Sequence, residues 1–162
     1  DGSGNPWMTI QSNAAIPLKS PLFAGYRLEK TLVAIEQKNP GKWTKGDVLR
    51  VKIKIQSDSP KTWVVITDPI PSGSSILGTG LVKDSAIFSG DKRSGGWLAY
   101  EEKSFENYRA YYQYLPDGEA SIEYTLRLNQ EGDFVLPTTR IEAMYFPEMF
   151  GELPNPKFSV GK

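Results

Sequence analysis

The stretch DVLRVKIKIQS, residues 47–57, decides the class of fold. Its apolar and polar residues alternate one by one: Leu49, Val51, Ile53 and Ile55 are separated by Arg50, Lys52, Lys54 and Gln56. Successive side chains of a β-strand point to opposite faces, so this alternation predicts a strand with one face on a core and the other in water.

Similar β-type runs extend outward from this strand in both directions. TWVVITDPIPSG is a β-branched run stopped by prolines, and SIEYTLRLN repeats the alternation. YRAYYQYLPDGEASIEYTLRL predicts two strands joined at Pro116-Asp117-Gly118, because proline fixes φ and glycine accepts a positive φ. Further strands are predicted at residues 7–12, 26–37, 97–101, 140–145 and 158–160.

Short strands separated by turn signals predict an all-β protein, an immunoglobulin-like antiparallel β-sandwich. Helical periodicity is scarce, and at most one short helix is expected, around residues 81–88. The Gly- and Ser-rich run SGSSILGTG lacks the lysine and spacing of a phosphate-binding loop, which favours a flexible loop. The 162 residues predict one domain, with a leading strand and linker in 1–25 and the core in 26–160.

Composition excludes several classes of function. The chain contains no His and no Cys, which removes the commonest general base, every thiol nucleophile and most transition-metal sites. We therefore expect a non-enzymatic protein with no cofactor and no metal. A net charge of zero gives no support for nucleic acid or an anionic membrane as partner, and no apolar run is long enough to cross a bilayer. The opening residues DGSGNPW lack the features of a signal peptide, so export would require a longer precursor.

Charged clusters have simple structural interpretations. Glu101, Glu102 and Glu106 lie close in sequence, but neighbours in a strand face opposite ways, which favours a solvated edge over an acid–base pair. Asp68, between a strand and two prolines, is interpreted as a turn residue that caps local amides. The basic row on 47–57 is interpreted as a solvated sheet face rather than a polyanion site.

A row of tyrosines leaves a binding function open. Tyr108, Tyr112 and Tyr114 share one side of a strand, and Tyr111 faces the other. One set is expected in the core. An exposed set would form a platform for sugar rings, so a carbohydrate-binding sandwich is one alternative.

The segment TRIEAMYFPEMFGELPNPKF, residues 139–158, carries more apolar bulk than a surface loop requires. It holds two Met, three Phe and one Tyr beside three Pro. These side chains either plug the end of this sandwich or pack against another domain, and both interpretations remain open from composition alone.

Several motifs together resemble a known family. A strand precedes D-P-I-P-S-G, and Y-T-L-R, G-D-F-V-L-P, E-A-M-Y-F-P-E and F-G follow in order. From about residue 26 to 160 this resembles the C-terminal macroglobulin-like domain, often called the tenth, of bacterial alpha-2-macroglobulins. Stalk repeats of bacterial surface proteins also carry the looser pattern V-x-I-x-D-x-x-P-x-G, which this turn matches, so a stalk or adhesin module is a second alternative.

The resemblance implies a non-catalytic piece of a large periplasmic, often membrane-tethered protein that traps proteases. In such proteins this domain packs on a helical domain that carries an internal thioester in many members, and a tyrosine-bearing loop lies at the contact. The matching residue is Tyr145. The implied partners are other domains of the same polypeptide, and proteases through the full-length protein. The implied contact residues are Met144, Tyr145, Phe146, Met149 and Phe150.

The chain departs from the family pattern at one place. Members carry an acidic D-D-R where this sequence has Asn107-Tyr108-Arg109, so only Arg109 is retained as a candidate contact residue. Because the chain has no Cys, any thioester lies outside it.

Overall fold

The computed structural model describes residues 4, 7–14, 16–78 and 93–162. Within these residues the chain forms strands and no helix. In chain order the strands are β1 (Leu22–Ala24), β2 (Tyr26–Glu36), β3 (Val48–Ser57), β4 (Lys61–Pro69), β5 (Ser75–Leu77), β6 (Arg93–Ser94), β7 (Trp97–Lys103), β8 (Asn107–Leu115), β9 (Gly118–Arg127), β10 (Gly132–Phe134), β11 (Thr139–Ala143), β12 (Phe146–Leu153) and β13 (Phe158–Val160).

Two antiparallel sheets build the sandwich. The first, sheet A, has the order β1-β12-β11-β4-β8-β7; the second, sheet B, has the order β2-β3-β9-β5, and β6 also pairs with β9. A small ladder joins β10 to β13. The all-β sandwich is therefore confirmed, while the helix predicted at 81–88 falls outside the described residues. In the described part of the chain there is no helix long and apolar enough to span a membrane.

The alternation of β3 has the predicted consequence. Val51, Ile53 and Ile55 are buried between the sheets, whereas Lys52 and Lys54 lie on the outer face of sheet B. Lys52 Nζ lies 3.1 Å from Glu123 of the neighbouring β9, so the basic row is partly neutralised there. This supports its interpretation as a solvated sheet face.

Consecutive strands repeatedly lie in different sheets. The turn at Pro116–Gly118 carries the chain from β8 in sheet A to β9 in sheet B, and Gly118 has the expected positive φ of 87°. The segment between β3 and β4 makes the reverse crossing. Tyr108 and Tyr124, one from each sheet, stack between the layers with ring centroids 4.3 Å apart.

Two local predictions are wrong. Residues 7–12 form no strand, and their side chains are exposed, because strand-type residues alone do not supply a neighbouring strand with which to pair. The leading strand is instead β1, which pairs with β12. The sequence favoured a flexible loop at Ser75–Leu77. These residues instead form β5, which pairs with Leu126 and its neighbours in β9.

Glycine allows the chain to cross between sheets after β1. Gly25 has a φ of 88° and lies between β1 in sheet A and β2 in sheet B. Gly151 of β12 lies against this crossing: a Cβ there would come within 2.8 Å of the Tyr26 carbonyl oxygen. Tyr26 is completely buried, and burial raises the pKa of its hydroxyl to about 12.

Asp47, immediately before β3, gives a prediction about acid stability. Its buried carboxylate accepts hydrogen bonds from the Thr44 amide at 2.8 Å, the Lys38 amide at 3.1 Å and the Thr44 hydroxyl at 3.1 Å. Burial by itself would raise the pKa of Asp47, but these donors and the nearby Lys38 charge lower it. The carboxylate therefore stabilises the fold above its unfolded pKa, and this contribution is lost as the pH falls through the lower folded pKa.

We expect Asp47→Asn to lower the free energy of unfolding at pH 7 by about 1–3 kcal/mol, since buried amides lose a charged acceptor. The loss should shrink as the pH is lowered below about 4, the unfolded pKa of Asp. Urea unfolding at several pH values measures both effects. Asp58→Asn, at an exposed position, serves as the control and should change stability by no more than about 0.5 kcal/mol. An Asp47 effect independent of pH would contradict the assignment.

Candidate interdomain contact site

The segment with excess apolar residues forms a hairpin whose tip is exposed. β11 and β12 pair in antiparallel fashion, and Met144-Tyr145 links them at one end of sheet A. The exposed fractions of Met144, Tyr145 and Phe146 are 52%, 69% and 43%. Three adjacent large side chains therefore face solvent at an end of the sandwich, instead of filling its core.

The strand predicted to end at Tyr145 ends two residues earlier, and the chain returns as β12. Ala143 pairs with Phe146 but Glu142 pairs with Phe150, so three additional residues bulge from β12. One of them is Met149, which contributes to the border of the core. Its sulfur accepts a hydrogen bond from Ser59 at 3.8 Å. Met149 thus anchors the bulge to the domain itself.

The other predicted apolar contact residues have cationic neighbours. The Arg140 guanidinium lies 5.1 Å from the ring centroid of the half-buried Phe150, and Lys61 Nζ lies 5.2 Å from that of Phe146. Arg140 also pairs with Glu142 at 2.7 Å and with Glu152. These contacts join β11 to β12 within the hairpin, and they join β12 to the start of β4.

Trp63, which sequence reasoning missed, lies beside the tip. Its carbonyl accepts a hydrogen bond from the Met144 amide at 2.8 Å, and its side chain is 42% exposed. We call Trp63, Met144, Tyr145 and Phe146 the tip patch. In the sequence Trp63 belongs to a β-branched run typical of a buried strand, so nothing marked it as a surface residue.

A shallow groove on the outer face of sheet A brings Arg109 and Met144 together. The groove has a volume of about 410 Å³, and its remaining lining residues come from β4, β8, β11 and the bulge. They are Val65, Thr67, Tyr111, Glu142, Ala143 and Pro147. Two of the predicted contact residues, far apart in sequence, therefore share one surface that ends at the tip patch.

The guanidinium of Arg109 is positioned by Glu102 and Tyr111. Its guanidinium lies 3.3 Å from Glu102 Oε2, which also accepts a hydrogen bond from the Tyr111 hydroxyl at 3.1 Å. Desolvation opposes the charged form, but hydrogen bonds with Tyr111 and Glu102 raise the pKa of Arg109 overall. The groove thus presents a positioned cation beside apolar side chains.

The interpretation of Asp68 as a turn cap is wrong. Asp68 is completely buried and accepts hydrogen bonds from Lys30 Nζ at 2.6 Å, the Tyr124 hydroxyl at 2.6 Å and the Thr139 hydroxyl. Lys30 Nζ also donates to Asn155 at 3.0 Å. Lys30 and Tyr124 belong to sheet B, and Asp68 and Thr139 to sheet A, so the network connects the two layers. Burial, followed by the charge of Asp68, raises the pKa of Tyr124 well above its usual value.

The Asp68 network and the tip patch lie at opposite ends of sheet A. Val64 pairs with Ala143 near the tip, whereas Thr67 pairs with Arg140 near the network. The five residue steps from Trp63 to Asp68 along the strand span roughly 17 Å. The tip patch and the loop after Asp68 therefore lie at two separate places on the domain.

The tyrosine row does not present several exposed rings side by side, as the carbohydrate-binding alternative requires. Tyr108 and Tyr112 are buried in the core, as one set was expected to be. The remaining rings are tilted against neighbours instead of lying coplanar: Tyr111 makes an angle of 33° with Tyr100, and Tyr114 an angle of 52° with Trp97.

The adjacent glutamates of β7 have different partners, as opposite faces of a strand require. Glu101 accepts a hydrogen bond from the Tyr108 hydroxyl, and Glu102 contacts Arg109 and Tyr111. Their arrangement is that of two separate structural contacts.

Fold and surface together define an immunoglobulin-like sandwich domain with an exposed apolar hairpin tip. Residues 25–148 match the family described as the bacterial alpha-2-macroglobulin MG10 domain, and the chain belongs to this family. It is 27% identical over 116 residues to an alpha-2-macroglobulin homolog of Nostoc sp., a match that covers 71% of this chain and 6% of that protein.

Solved structures share the fold. The native alpha-2-macroglobulin of Escherichia coli, spanning domain MG7 to the C-terminus, matches with a TM-score of 0.73 and 16% identity over 90% of this chain and 25% of that one. A tyrosine-to-glycine mutant of Salmonella alpha-2-macroglobulin matches with a TM-score of 0.71 and 15% identity, covering 88% of this chain and 10% of that one. The chain thus spans a small part of each relative.

Proposed function

We propose that this domain packs through its tip patch and groove against a helical, thioester-type domain of the same polypeptide, within a periplasmic alpha-2-macroglobulin-like protease trap. The main support for this proposal is that Met144, Tyr145 and Phe146 are exposed side by side at the hairpin tip. The match to the bacterial alpha-2-macroglobulin MG10 domain supports the proposal, because such a domain would be one part of a larger polypeptide in which this contact can form.

The geometry of the tip suits a contact between domains. β11 pairs with β4 on one side and β12 on the other, so the exposed residues project from a supported ladder rather than a free loop. Tyr and Met combine large apolar area with, respectively, a polar hydroxyl and an adaptable thioether. In this proposal the Tyr145 ring covers the partner's reactive bond and excludes water, and its hydroxyl hydrogen-bonds there.

The groove adds a polar component to the same contact. Arg109 lies at one part of the groove and Met144 at another, so a partner surface laid along it meets a cation and apolar side chains together. In this proposal the domain supplies no catalytic group and takes part in trapping proteases only through the full-length protein.

Oxidative footprinting tests the proposal. In the isolated chain Met144, Tyr145 and Phe146 should be oxidised readily, and in the full-length parent protein they should become protected because the helical domain covers them. Phe105 is the internal control: it is 83% exposed in the β7–β8 turn, near the Asp68 end. Equal oxidation of the tip in both samples would contradict the proposal.

The same proposal predicts a mutational effect. Tyr145→Ala in the parent protein should weaken the packing of this domain by about 2 kcal/mol, or roughly 30-fold, the scale of an interface hot spot. Hydrogen exchange at the tip amides reports the weakening. The stability of the isolated chain should hardly change, because Tyr145 is exposed there.

The stalk or adhesin alternative predicts a uniformly polar flank with no apolar patch. The tip patch argues against it, as does the match over 25–148 to a domain of multidomain inhibitors. No observation favours this second function.

A further inference from the structure

Trp63 has an unusual backbone conformation for its type. Its φ is 54°, and among the described residues it is the only non-glycine with a positive φ. In this region the Cβ of an L-residue crowds its own backbone, and for a bulky side chain the conformation is a genuine outlier. Glycine, or to a lesser degree asparagine, adopts it with little strain.

The β4 ladder does not require a tryptophan at this position. Thr62 pairs with Tyr114 and Val64 with Tyr112, so the register is the same on both sides and no residue is inserted. Trp63 alone is missing from that pairing, and it turns its carbonyl to the Met144 amide. This hydrogen bond uses only the backbone and would remain with any residue that keeps the conformation.

The indole also contributes little to the core. Val64 and Ile66 of the same strand are completely buried, whereas Trp63 is 42% exposed. Trp63 is not a member of the buried core of the domain. A strained backbone that leaves nearly half of a large aromatic side chain exposed to solvent points to a use outside the domain.

We infer that Trp63 is a binding anchor of the interdomain contact, retained for the partner and not for the stability of this domain. This inference rests on the proposed function. The partner that would cover Trp63 is an apolar surface of the neighbouring helical domain. The backbone hydrogen bond places Trp63 next to Met144, so one apolar partner surface can cover both side chains. Tryptophan is the residue most enriched among interface hot spots.

Replacement by glycine separates this role from a structural one. In Trp63→Gly the strain is relieved, so the melting temperature of the isolated chain should stay the same or rise by a few degrees. Binding of that chain to the parent protein that lacks residues 1–162 should weaken at least about tenfold. Trp63→Asn also tolerates this φ and should give the same pair of results.

Phe105→Ala is the matched control, because it removes an exposed aromatic ring near the opposite end and should leave binding unchanged. Wild-type affinity in both Trp63 variants would overturn the inference while leaving the proposed function intact. A clear loss of stability in both would also overturn it, since the indole would then be structural. If the wild-type chain does not bind the truncated parent, the proposed function and this inference fall together.

Discussion

Replacing Asp68 with alanine is expected to lower the free energy of unfolding by about 3–5 kcal/mol, the cost of breaking a buried ion pair from one side. Lys30 would lose its carboxylate partner in a site where its side chain is only 11% exposed. The hydroxyls of Tyr124 and Thr139 would lose the same acceptor. Because the four residues connect both sheets, the loss should weaken the whole sandwich.

Urea unfolding of the isolated chain measures the effect through the midpoint and slope of the transition. Glu142→Ala is the control: it removes a carboxylate from an ion pair that is over a third exposed, and should cost no more than about 1 kcal/mol. A double-mutant cycle of Lys30→Met and Asp68→Leu should show that the losses are not additive. Additive losses, or a loss from Asp68→Ala as small as the control, would show that the network is not coupled.

Gly151→Ala is expected to destabilise the domain by about 2–3 kcal/mol, at the upper end of the range for overpacking a core. The added methyl would lie 2.8 Å from the Tyr26 carbonyl oxygen and 3.1 Å from Ile141 Cγ2. The carbonyl belongs to the backbone where the chain crosses between sheets, so it cannot rotate away as a side chain can.

Thermal or urea unfolding tests this as well, with Gly161→Ala as the control. At Gly161 an added Cβ meets nothing closer than 3.7 Å, so that substitution should be nearly neutral. Equal stability of the two variants would mean that β12 shifts freely away from the crossing.

Local pattern predicted the strands that have a clear period. The alternation in β3 gave both its existence and its buried face, and the predicted strand 158–160 coincides with β13. Pattern failed where pairing depends on distant chain. Residues 7–12 have strand-type composition but do not pair, whereas β1 is short and pairs with β12, more than a hundred residues away.

The candidate contact site could be predicted from the sequence to a similar extent. Excess apolar residues in 139–158 marked the hairpin, but not which of them turn inward: Met149 borders the core while Tyr145 is exposed. Asp68 looked like a turn residue because its partners Lys30, Tyr124 and Thr139 come from three other strands. Backbone conformation at Trp63 has no signature in residue type.

The alternation of the chain between layers bears on how the domain withstands cleavage. In chain order, the first strand of sheet A is β1 and the last is β12. The sheet B strands β2, β3, β5 and β9 all lie between these two in the sequence. A cut in any connection from β1 to β12 leaves the strands of sheet A divided between two fragments. Neither fragment then retains the whole of sheet A, the layer against which sheet B buries its apolar face, so the domain persists or is lost to a protease as one cooperative unit.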